Sequence, residues 1–213
     1  YAFPHCNGDL ILFLDADDVL GPGALKHVQL VYEPGVSKIH FALEVIDEEG
    51  QPLGTRVPRA GLQSGDLRGD VLRRGIYISP PSSGNVYSRE FLQAVMPIPE
   101  VGWPYADAYL ICLAPLYGKV LAIDTSLGQY RRHTANLTDV SMGTRENVER
   151  KLETMLRTDM NVRGALEQRS RQLGLTLSPS AVVTHWLHLK AKLAMVKLQE
   201  PTFRSVSAVL AKF

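Results

Sequence analysis

Three aspartates fall within four residues, Asp15, Asp17 and Asp18, where the apolar run Leu10 to Leu14 ends. Carboxylates crowded in this way repel one another, and at the mouth of a core they are costly unless a cation satisfies them. Hard carboxylate oxygens suit Mg²⁺ or Mn²⁺, ions that bind phosphate oxygens as well as protein ones. The same three residues would also serve as the acidic cap of a helix that starts near Pro22. A fourth carboxylate, Asp107, opens the apolar stretch "ADAYLICLAPLY" beside Trp103 and Tyr105. There it meets the positive end of a helix, or stands ready as a base. Arg131, Arg132 and His133 cluster cationic groups near the end of a later strand.

Elements to hold these residues follow from the pattern. Leu10 to Leu14, after Asn7-Gly8-Asp9, reads as a buried strand of a parallel or mixed sheet. Its far end is where ligands of open α/β sheets bind. Gly21-Pro22-Gly23 breaks the run, and Ala24 to Val31 reads as a helix. Ile39 to Ile46 is a second strand, "DEEGQPLG" (47 to 54) is turn chemistry, and residues 55 to 75 carry no clear period. "SPPSSGNVYS" (79 to 88) is a loop entering a short strand. Ser88 is the expected N-cap of a helix that stops before Pro97. Ala106 to Tyr117 reads as a helix ended by Gly118, followed by short strands at Lys119 to Ile123 and Leu127 to Arg131. From Thr144, Val148, Leu152, Met155 and Leu156 keep helical spacing. Gly174 closes a second helix, and Ser178-Pro179 starts a third that ends before Pro201.

The 213 residues are 45% hydrophobic and 21% charged, an ordinary globular balance. Charge is uneven: residues 1–143 hold 11 basic and 16 acidic side chains, and residues 144–213 hold 12 and 6. Cys6 and Cys112 give no disulfide framework and fit a reducing compartment as small buried hydrophobes. No apolar run approaches the roughly 18 residues of a membrane span, and no signal-peptide pattern opens the chain. Tyr1 in place of Met, and an apolar pattern still running at Lys212-Phe213, predict a chain cut at both ends.

"GDLILFLDADDVLGPGAL" resembles the D-x-D segment of family 2 glycosyltransferases. Three further stretches match in the order that family shows: "SSGNVYSREFL" (82 to 92), "WPYADAYLICLAPLYGKV" (103 to 120) and "IDTSLGQYRRHTANLT" (123 to 138). The resemblance implies an α/β chain of GT-A (Rossmann-like) fold, a nucleotide-sugar transferase core over residues 1–140 that lacks its first strands, with a basic helical extension at 144–213. It implies metal-dependent transfer of a sugar, with inversion, from a nucleotide-diphosphate sugar to a glycan or lipid-linked acceptor hydroxyl, in polysaccharide and cell-envelope biosynthesis. The cofactor would be Mn²⁺ or Mg²⁺, held by Asp17, with Asp15 on the nucleoside side and reaching the metal through water, and with His133 on the metal or the diphosphate. Ser83, Gly84, Asn85, Arg131 and Arg132 would bind donor, and Asp107 would be the catalytic base. The family usually carries an acid just before that base; here the position is Ala106. Asp18 is left to cap the next helix, and Arg89 to pair with Glu90 or a nearby acid at the surface. A chain without the first strands would bind donor poorly.

Two other readings stay open. "DADDVL" also fits the opening motif of haloacid-dehalogenase-like phosphohydrolases, D-x-D-x-[TV]-[LV], and "GDLRGD" (65 to 70) fits their later Mg²⁺-holding pattern. Yet "RAGLQS" before the second motif is polar where a strand should be. A non-catalytic sugar-nucleotide-binding fragment is the other. In "THWLHLKAKLAMVKLQ" (184 to 199), Trp186, Leu189, Leu193 and Val196 form one stripe with lysines at its edges. That pattern fits a helix packed on the domain, or peripheral contact with anionic lipid. The expected location is the cytoplasm, at the inner face of the membrane in the second case. Nucleic acid is not an expected partner.

Overall fold

The computed structural model describes residues 3–99, 103–133 and 145–182, with positions 192, 194 and 195. Most of 184–199, and with it the membrane-contact expectation, lies outside the described residues. So does most of the third helix predicted from Ser178. Among the described residues, no helix is long and apolar enough to cross a membrane.

Strands β1 (Leu10–Leu12), β2 (Val19–Leu20), β3 (Val36–Ile46), β4 (Pro52–Val57), β5 (Asn85–Ser88) and β6 (Lys119–Arg131) form one mixed sheet. The order is β1-β5-β3-β6-β2, with β4 paired to the end of β3. Only β3 and β6 run parallel. Helices α1 (Ala24–Val31), α2 (Arg68–Arg74), α3 (Arg89–Val95), α4 (Ala106–Tyr117) and α5 (Arg145–Gln172) complete the described elements.

Two apolar clusters lie on the two faces of the sheet. Ile39, Phe41, Val86 and Leu127 pack with Ala24 and Val28 of α1. Tyr87, Phe91, Leu92, Leu113 and Leu166 pack on the other face, between α3, α4 and α5. The period of 2 along a strand explains the split: Val86 and Tyr87 are neighbours in sequence and lie in different cores. Val162 and Leu166 bring α5 into the same core as α4.

Several sequence expectations change. In β1 only Ile11 is buried, and Leu14 is 45% exposed, so the run before the aspartates is a half-buried edge strand. Residues 52–57 pair with β3 as β4 rather than lying wholly in a turn. The two strands predicted at 119–123 and 127–131 are one strand. Between the pairs Phe41↔Ile123 and Leu43↔Gly128, β6 advances five residues while β3 advances two, so the excess bulges outward. The two helices expected before Gly174 are the single α5. Ser88 does cap α3, accepting the Phe91 N–H at 3.2 Å. Gly118 follows α4 in extended geometry, so a left-handed cap is not what selects it. A Cβ there would sit 2.5 Å from the Gly35 carbonyl oxygen. Close packing of α4 on the start of β3 is the reason for that glycine.

Candidate active site

The turn after β1 is stitched to the end of β6. Arg131 N–H donates to Asp18 Oδ1 at 2.9 Å, and Arg131 Nε donates to the Asp17 carbonyl at 3.0 Å. Arg131 Nη1 donates to the carbonyls of Asp47 and Glu48. The guanidinium thus binds three backbone carbonyls and joins the aspartate turn to the turn between β3 and β4. Two residues further on, His133 Nε2 donates to Asp17 Oδ2 at 2.8 Å. Asp18 is buried and caps no helix. Its partner is the Arg131 backbone, and α1 starts from Gly23 with no side-chain cap.

The loop before β5 forms the second wall. Ser83 is buried and its hydroxyl accepts the Asp15 N–H at 3.0 Å. Gly84 is where the loop presses on β3: a Cβ there would lie 2.6 Å from the Phe41 carbonyl oxygen and 2.8 Å from the Pro80 ring. Asn85 is fully buried. Its amide donates to the carbonyls of Pro80, Pro81 and Ser82 and its Oδ1 accepts from Ser79. The amide expected to reach a sugar is therefore used up in shaping the loop. Among the described residues Arg89 pairs with no acid; it donates to the carbonyls of Cys6 and Gly8.

Asp107 stands in the first turn of α4. It lines a cavity of about 240 Å³ together with Asp15, Phe13, Ser82 and Tyr87. On its other side it lines a larger cavity, about 590 Å³, with Tyr105, Tyr130, Arg132 and, from α5, Asp159. Two carboxylates 92 positions apart in sequence thus meet at one cavity, and one of them also opens onto a second.

Electrostatics mark the same place. Burial raises the Asp15 carboxyl above its ordinary range, and the charges of Asp18, Asp107 and Asp17 raise it further. Burial also raises Asp18, with the Ser83 hydroxyl and the Arg131 N–H acting against it. Asp18 Oδ2 is buried without a hydrogen bond of good geometry. Excess negative charge with an unsatisfied oxygen is what a cation relieves.

Asp17 and His133 are hydrogen-bonded to each other: His133 Nε2 donates to Asp17 Oδ2 at 2.8 Å, so the pair could hold Mg²⁺ or Mn²⁺ only once that proton is released. Among the described residues no group of three His, Cys, Asp or Glu side chains forms a ready cage.

Elsewhere, Asp66 accepts from the Arg68 N–H, and Asp70 pairs with Arg73 on α2. Gly65 bridges Val120, near the start of β6, whereas the aspartate turn is held at Arg131, the end of β6. The two motifs of the phosphohydrolase reading therefore lie toward opposite ends of one strand.

Sequence reading missed a buried polar group beneath the larger cavity. Lys38 and His40 are both at 0% exposure. Lys38 donates to the hydroxyls of Tyr77 and Ser79, and His40 Nε2 contacts the Gln63 carbonyl at 2.9 Å. Their signal was present: "VSKIHFALEVI" sets a lysine and a histidine in a run otherwise rich in apolar and β-branched residues.

No family model matches the chain. Over 137 residues, 63% of its length, it is 33% identical to an uncharacterized glycosyltransferase of Nostoc sp. (strain PCC 7120). Among solved structures it is similar to a mannosyltransferase from Pyrobaculum calidifontis in complex with GDP-Man and Mn²⁺. That similarity has a TM-score of 0.42 and 15% identity, over 99% of this chain and 56% of that one. The chain spans 42% of the Nostoc relative, so its likeness to a glycosyltransferase covers less than half of that protein.

Proposed function

We propose that this chain is the acceptor-side and metal-side part of an inverting glycosyltransferase of the GT-A type. It would move a sugar from a nucleoside diphosphate sugar to an acceptor hydroxyl. The observation that carries the reading is the convergence of Asp107 and Asp15 on one cavity, with Asp17, two residues from Asp15, paired to His133 just past the end of β6. Sequence similarity to a glycosyltransferase agrees with it.

Each residue then has a task. Asp17 and His133 would hold a Mn²⁺ or Mg²⁺ ion, which would stabilise the charge growing on the departing diphosphate. Asp15 lies on the nucleoside side, fixed by Ser83. Asp107 accepts the proton of the acceptor hydroxyl as its oxygen bonds to the anomeric carbon, and the bond from that carbon to the diphosphate oxygen breaks. The larger cavity beyond Asp107, with Tyr105, Tyr130 and Arg132, receives the acceptor. The Arg131 guanidinium, bound to backbone carbonyls, serves the aspartate turn rather than a donor phosphate.

The test is a donor screen with UDP-, GDP- and dTDP-sugars in the presence of Mn²⁺, repeated with Asp17→Ala and Asp107→Asn. Loss of metal-dependent donor binding in the first, and of transfer alone in the second, is the expected pair of results. Transfer that survives Asp107→Asn at the wild-type rate would remove the base assignment.

A further inference from the structure

Lys38 sits fully buried in the middle of β3, and nothing in the chemistry above uses it. Ile39 and Phe41 face α1, so Lys38 and His40 face α4. The Lys38 amine has two hydrogen-bond partners, the Tyr77 hydroxyl at 2.9 Å and the Ser79 hydroxyl at 2.6 Å. The Tyr77 ring lies 4.8 Å below it.

What lies beyond each partner sets the direction of its bond. Pro115 has no N–H, so the Ile111 carbonyl, four residues earlier in α4, has lost its helical donor. The Tyr77 hydroxyl donates to that carbonyl at 3.0 Å. With its one proton used, it can only accept from Lys38. On the other arm, Asn85 donates its amide to three carbonyls, leaving Oδ1 to accept the Ser79 hydroxyl at 3.0 Å. Ser79 too therefore accepts from Lys38. Lys38 thus donates one hydrogen bond to each arm. Burial pushes Lys38 well below its ordinary range, with Asp107 pulling weakly the other way. The same directions exclude a nucleophile–base pair, because the Ser79 proton lies on Asn85.

The two arms end on the two halves of the proposed site. Ile111 is one helical turn past Asp107. The carbonyls of residues 80 to 82 lead into Ser83, which holds the Asp15 N–H. We propose that Lys38 is a positioning residue, which holds the Asp107 helix and the Asp15 loop at a fixed separation. The inference rests on the roles given above to Asp107 and Asp15.

Three variants test it: Lys38→Met, Tyr77→Phe, which cuts the α4 arm, and Ser79→Ala, which cuts the loop arm. Amide hydrogen exchange reads the positioning without turnover. Lys38→Met should speed exchange in both α4 and residues 79–85, Tyr77→Phe only in α4, and Ser79→Ala only in the loop. In transfer assays, Tyr77→Phe should lower kcat roughly 10- to 100-fold with donor Kd within about threefold of wild type. Ser79→Ala should weaken donor binding first. Were Lys38→Met not to fold, the two single-arm variants would carry the test alone. Identical profiles for those two, or unchanged exchange in both segments, would overturn the proposal. Segment-specific loosening in a protein that transfers no sugar would leave the coupling standing and remove the assigned chemistry instead.

Discussion

His133 Nε2 lies 2.8 Å from Asp17 Oδ2, across 116 residues of chain, and the contact joins the end of β6 to the turn after β1. If the two side chains hold a metal as proposed, they do so interdependently. Asp17→Ala should weaken Mn²⁺-dependent donor binding by at least the ~10- to 100-fold that loss of an outer-shell partner costs. His133→Ala should weaken it by about tenfold. Calorimetric titration of donor with and without Mn²⁺ measures both. Equal donor affinity with and without metal in the wild type would count against the pair as ligands.

Asp15 predicts a pH signature. Its folded carboxyl holds its proton more tightly than an ordinary aspartate, so its charge destabilises the metal-free fold at neutral pH. Asp15→Asn should raise the metal-free melting temperature near pH 7. The gain should shrink as pH falls and vanish well below 3.8, where the side chain is protonated in folded and unfolded chains alike. Thermal scans across that range check it, and a gain that grows on acidification would contradict the assigned charge crowding.

Replacing Asp107 by Asn keeps shape and removes the proposed base. Transfer should fall ~10²- to 10⁴-fold while donor and metal still bind. Single-turnover assays beside equilibrium donor binding separate the two effects.

His40 predicts acid sensitivity away from the carboxylates. Burial, with Lys38 beside it, lowers its folded pKa to about 3 from an ordinary 6.5. The unfolded chain therefore binds the proton first, and stability drains away as pH drops below 6.5, by up to about 1.4 kcal/mol per pH unit. His40→Gln should flatten this limb of a denaturant-midpoint series between pH 4 and 7. An unchanged slope would mean that His40 is not its source.

Gly84→Ala tests the loop against β3. The added methyl would meet the Phe41 carbonyl oxygen at 2.6 Å and the Pro80 ring at 2.8 Å. Overpacking of this kind costs about 1–3 kcal/mol, visible as a lower urea midpoint.

The sequence carried the order of the elements and the identity of the acids, because each depends on local pattern. Ala24–Val31, the Ser88 cap and the helix from Ala106 are set by period, capping and breakers within a few residues. Partnerships were less legible. Asn85 and Arg131 look like donors to a ligand in one dimension. In the fold, backbone carbonyls from their own and neighbouring loops take up that capacity first. The β4 pairing and the bulge in β6 depend on β3, which lies distant in sequence from β6. Lys38 stands out in its apolar strand, but its partners do not, because Tyr77, Ser79 and Pro115 share no motif with it.

Pro115 bears on any attempt to engineer this protein. Helix propensity alone ranks proline about 3 kcal/mol below alanine in a helix interior, so Pro115→Ala would head any list of stabilising substitutions. Here the alanine N–H would compete with the Tyr77 hydroxyl for the Ile111 carbonyl. Tyr77 could then turn its proton toward Lys38, donor facing donor. A straighter helix would come at the expense of the contact that ties it to the sheet, and a thermostability screen blind to turnover would select that trade.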